Sequence, residues 1–135
     1  MMLRLPLLTL VAAALVQTAA AGQTPMSAEE FEAYVTGRTL TFGTDGVPYG
    51  TEEFREDRRT TWAFMGEECR EGVWFERDDY ICFAYEDDPQ THCWQFFEGE
   101  HGLRARFRGD PPGSELYEIE QSDRPLICPG PQIGA

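Results

Sequence analysis

From residue 39 onward, apolar and polar positions alternate in short runs, and each run ends at glycine, proline or paired acidic residues. Strand side chains point alternately to opposite faces, so such alternation predicts strands. It places them over 39–42, 47–54, 58–65, 69–76, 80–86, 91–97, 103–107 and 115–120. Thr44-Asp45-Gly46 is a hairpin turn signal, and Gly109-Asp110-Pro111-Pro112-Gly113 is a loop. Short strands joined by short turns predict a mainly β fold. The expected form is an antiparallel meander of about seven or eight strands, as a small barrel or a half-closed sheet. The period changes only near the start. Ser27-Ala28-Glu29-Glu30 reads as a capping box, and Phe31, Tyr34 and Val35 share one helical face. Gly37 ends that pattern, giving one short amphipathic helix over 27–36 that plugs an end or face of the sheet.

Parity assigns the faces of the central hairpin. Ile81, Phe83 and Tyr85 share one face of their strand; His92, Trp94 and Phe96 share one face of the next. A tight turn at Asp87-Asp88 sets Ile81 opposite Trp94 and Cys82 opposite Cys93. One side of the hairpin is then aromatic and the other carries cysteine. Apolar groups lie on both faces of this region, so each face needs a cover: the helix, a closed interior, a ligand or a partner.

The first residues read as an export signal. Arg4 gives a positive start, 5–16 an apolar run, and Ala19-Ala20-Ala21 a small-residue cleavage pattern. The run is short for a membrane span. The organisation expected is therefore a signal peptide at 1–21, a flexible start at 22–26, a single domain at 27–123, and an irregular tail at 124–135. No membrane insertion is expected after cleavage. Without Arg4 the chain carries 10 arginines, no lysine and 24 acidic residues, a net charge near −14. Nucleic acid needs a basic footprint and is an unsuitable partner.

Four cysteines in an exported domain predict two disulfides. Of the three possible pairings, cross-strand opposition favours Cys82–Cys93, with Cys69–Cys128 tying the tail to the sheet. Zinc and redox readings are disfavoured because no C-x-x-C pair is present. The acidic turn Glu86, Asp87, Asp88 could face a cation, but it lacks EF-hand spacing and reads as a solvated hairpin tip. Adjacent glutamates such as Glu52 and Glu53 point to opposite faces and read as solvated charge. No nucleophile motif accompanies His92 or His101, so no enzyme activity, catalytic residue, metal or cofactor is expected.

The segments S-A-E-E-F-E-A-Y, Y-G-x-E-x-F, R-R-x-x-W-A-F, C-x-x-G-x-W, I-C-F-x-Y-E, C-W-x-F-F, E-L-Y-E and L-I-C-P-G-P resemble a group of small exported proteins of Gram-negative bacteria with four cysteines. The resemblance spans nearly the whole exported chain. It implies export to the periplasm and a single disulfide-bearing domain, and it carries over no activity or site residue. Two functions are expected from the residues. The first is a non-enzymatic module that docks an envelope protein, with a basic partner favoured by charge and contact made through Glu86, Asp87 and Asp88. The alternative is a lipocalin-like small-ligand binder using an aromatic interior of Trp74, Phe83, Tyr85, Trp94 and Phe96.

Overall fold

A computed structural model describes residues 13–15 and 24–128. The segment expected to be an export signal, apart from residues 13–15, and the last seven residues of the tail lie outside the described residues. Eight antiparallel strands follow one another around a closed barrel. They are β1 (Thr39–Thr44), β2 (Val47–Phe54), β3 (Arg59–Phe64), β4 (Arg70–Arg77), β5 (Tyr80–Tyr85), β6 (Thr91–Gly99), β7 (Gly102–Phe107) and β8 (Leu116–Ser122). β8 returns to pair with β1, so no edge strand remains. Tight turns drive the meander. Asp45 and Gly46 both adopt positive φ between β1 and β2, as do Asp78 and Asp79 between β4 and β5. Two left-handed residues make the turn whose twist matches a hairpin.

The helix α1 (Ala28–Val35) closes one end. Its capping box forms as the sequence predicts: the Ser27 hydroxyl accepts from the Glu30 amide, and the Glu30 carboxylate accepts from the Ser27 amide. Phe31 and Val35 are fully buried. The Phe31 ring packs on Phe54, Trp74, Phe83 and Phe96, at centroid distances from 4.4 to 6.4 Å. Polar contacts fix its pose. The Met26 amide donates to the Phe96 carbonyl, and the Gly37 amide to the Phe54 carbonyl. The Tyr34 hydroxyl donates to Glu118, whose Oε2 also accepts from the Leu103 amide. Arg58 stacks over Trp74 and pairs with Glu32 of the helix.

Both disulfides expected from the sequence are present, Cys82–Cys93 and Cys69–Cys128. The register places Cys82 opposite Cys93 and Ile81 opposite Trp94, as parity predicts. Two disulfides point to an oxidising, non-cytoplasmic location. The tail straps the outside of the barrel. The Arg124 carbonyl accepts from Thr39 and the Leu126 amide donates to Glu53, before Cys128 reaches Cys69 beside the opposite end.

The apolar outer face has a specific cover. Arg77 lies over Phe75, Arg104 and Arg106 over Phe97, and Arg108 over Tyr80. A planar guanidinium can lie flat on a ring and shield it, which an ammonium cannot do. The arginine-only composition thus has a structural use: Phe75, Phe97 and Tyr80 are covered in place rather than by a second layer.

Candidate functional site

Eight strands enclose an interior just wide enough to be filled by side chains or to hold one small ligand. Here the two ends differ. The end under α1 is filled by Phe31, Phe54, Trp74 and Leu103, all at most 2% exposed. The other end holds a cavity of about 420 Å³. Its inner walls are Phe42, Trp62, Phe64, Phe83, Tyr85, Trp94 and Phe96, with Tyr49 and Asp110 near the mouth. The helix makes this asymmetry, because among the described residues there is one plug for two ends.

Two glycines shape the walls. Gly50 faces inward, and a Cβ there would lie 2.3 Å from the Trp62 ring. Gly72 stands opposite Tyr85, and a Cβ there would lie 2.7 Å from that ring. Each missing side chain lets a cross-strand aromatic lie flat on the barrel wall instead of across the lumen.

The polar centre of the cavity is Glu52, which lines it and is 3% exposed. Its Oε1 accepts a very short hydrogen bond from the Thr60 hydroxyl. The Tyr85 hydroxyl donates to Oε1 at 3.0 Å and lies 3.1 Å from Oε2. Burial pushes the Glu52 carboxyl up to about 8, against the smaller opposing effect of the Thr60 and Tyr85 bonds. The Tyr85 phenol is also raised well above its usual value, first by burial and then by the Glu52 charge. The expectation that Glu52 is solvated charge is therefore corrected. Parity separates it from Glu53 as expected, but its face is the lumen. Glu53 faces out and binds the tail.

Charged groups gather near the mouth. Asp88 Oδ2 lies 2.6 Å from His92 Nε2, and Asp88 Oδ1 accepts from the Gln90 amide. The His92 bond, followed by the Gln90 amide, lowers the Asp88 carboxyl below its usual range. Arg70 stacks over Phe64 at 5.6 Å.

Of the aromatic residues expected in a ligand site, Phe83, Tyr85, Trp94 and Phe96 line the cavity. Trp74 does not; it lies in the filled end against Phe31. Of the acidic turn, Asp88 lines the cavity and is engaged with His92, while Glu86 and Asp87 are exposed. Sequence reasoning missed Glu52, Thr60 and the two wall glycines. One signal was present: inward parity puts Gly50, Glu52 and Phe54 on one face of β2, an acid between two barrel-facing positions. Among the described residues no group of three or more metal-ligating side chains converges. Comparison with protein-family models, curated proteins and solved structures finds no match, so the reading of the site rests on these residues.

Proposed function

We propose that the protein is a non-enzymatic small-ligand binder of an extracytoplasmic compartment, the periplasm, and that it takes an apolar ligand into the barrel. The single observation carrying this reading is the cavity of about 420 Å³, aromatic-walled and closed at one end by α1. Its volume falls in the range of small-molecule sites, roughly 300–1,000 Å³. A barrel that needed only stability would fill this end as it fills the other. The polar groups inside are few and fixed, as orientation of a mostly apolar ligand requires. The two disulfides agree with an oxidising compartment.

The test is to block the lumen without touching its polar groups. Ala105 is 3% exposed and lines the cavity. Ala105→Phe should fill much of the space while the barrel still forms. Binding of naphthalenemethanol, followed by calorimetry, should be measurable in the parent and lost in the variant. Equal binding by both proteins, or none by the parent, would refute a ligand-binding lumen.

A further inference from the structure

The lumen contains one feature that an apolar-ligand site does not need. Glu52 places a carboxylate against aromatic rings, and no salt bridge reaches it among the described residues. A purely structural acid would be expected to bond inside the wall and turn away from free space. Glu52 instead borders the cavity, and its Oε2 has only the longer Tyr85 contact at 3.1 Å. Of the neighbouring strands, β1 carries no charged residue and β3 only the exposed Arg59. The cross-strand partners of Glu52 are Leu40 on β1 and Trp62 on β3, and its bonded partners are Thr60 and Tyr85. The other charged or titratable lining groups, Arg70, Asp88, His92 and Asp110, belong to the start of β4, the start of β6 and the loops between β5 and β6 and between β7 and β8. These positions surround the mouth. Arg70 acts on Tyr85 and Asp88.

On the reading of the lumen as a ligand site, we infer that Glu52 is its specificity group and that the ligand is an apolar, ring-bearing amine that enters ammonium first. The carboxylate supplies a charge-assisted acceptor at depth. Trp62, Phe83 and Tyr85 line the cavity with it, and aromatic rings attract a cation through their quadrupoles. Rings favour rings along the rest of the cavity. The proton balance is simple. Burial pushes the Glu52 carboxyl up to about 8, which favours the protonated form at neutral pH; a bound ammonium requires the carboxylate, so the Glu52 proton leaves to solvent as the ion pair forms. An anionic ligand would have to keep its charge at Arg70 and lay its apolar end on Glu52.

The probes are naphthylmethylamine, naphthalenemethanol and naphthoate, which share one ring system and differ in the head group. Calorimetry on the oxidised protein should show the amine binding at least about tenfold tighter than the alcohol, and naphthoate weakest. Glu52→Gln keeps the shape and the acceptor for Tyr85; it should remove the amine preference, so that amine and alcohol bind the variant with similar affinity. A second readout uses the parent alone. At about pH 6.5, titrations in two buffers of different ionisation enthalpy should report close to one proton released with the amine and none with the alcohol. Equal binding of amine and alcohol, or an amine preference that survives in Glu52→Gln, would overturn the inference while the ligand-binding lumen stands. Tighter binding of naphthoate would overturn it too and point to Arg70. Failure of all three probes would overturn both readings.

Discussion

Glu52→Gln also makes a prediction that needs no ligand. The Glu52 carboxyl stands at about 8 in the folded barrel against 4.5 when unperturbed, with burial as the main cause. Between those values the folded chain holds a proton that the unfolded chain has released. The unfolded state therefore binds fewer protons, and stability falls as pH rises. The sign is opposite to that of a carboxylate held down by a salt bridge. Below pH 4.5 both states are protonated and Glu52 costs nothing; above pH 8 the folded barrel must carry a buried charge. The slope in between is about 1.4 kcal/mol per pH unit, and the whole span amounts to roughly 5 kcal/mol. Glutamine keeps the carbonyl that accepts from Tyr85 and lacks the titration. The assay is urea unfolding of parent and Glu52→Gln, disulfides intact, in steps from pH 4.5 to 8.5. Subtracting the two curves removes the carboxylates common to both. The difference should be small at the acid end and grow with pH until the variant is more stable by several kcal/mol. Parallel curves would refute the reasoning, because they would mean that Glu52 is ionised and adequately solvated in the native barrel.

Three further outcomes follow from the packing. Phe31→Ala should cost about 3–5 kcal/mol in chemical unfolding, because it removes the ring on which four others converge; a loss under about 1 kcal/mol would mean that α1 is not the plug. Replacing Cys69 and Cys128 with serine opens a span of 59 residues and should destabilise by about 4 kcal/mol on the chain-entropy account. Hydrogen exchange should rise first at the Leu126 amide, and uniform loosening would contradict the strap. Gly72→Ala brings a Cβ against the Tyr85 ring and the Ala84 carbonyl. It should cost about 1–3 kcal/mol and displace Tyr85 from Glu52; the Tyr85 bond holds the Glu52 carboxyl down, so its loss should extend the fall of stability to higher pH, and an unchanged dependence would show that Tyr85 does not need that space.

Much of this architecture was legible because its causes are local. Period-two alternation marks each strand, and Asp45-Gly46 marks the first hairpin. The capping box marks the helix start, and parity together with a turn centred on Asp87-Asp88 pairs Cys82 with Cys93. The candidate site was legible only in part, because its causes are not local. Phe83, Tyr85, Trp94 and Phe96 could be placed on one face from spacing. Whether that face encloses space depends on how far α1 reaches down the lumen, which no single strand records. Trp74 shows the same limit: its parity is inward, but it lies on the side of the barrel that Phe31 fills. Glu52 was misread because acidic pairs are usually solvated, and because its burial depends on closure of β8 onto β1, far along the chain.

On the proposed reading the open end of the barrel is a ligand site and not an accident of packing. The direct measurement is calorimetric binding of naphthalenemethanol to the oxidised parent and to Ala105→Phe under identical conditions. Saturable binding at one site in the parent, lost in the variant, is the predicted result. No binding by the parent, or binding that the filled lumen leaves unchanged, would contradict the account.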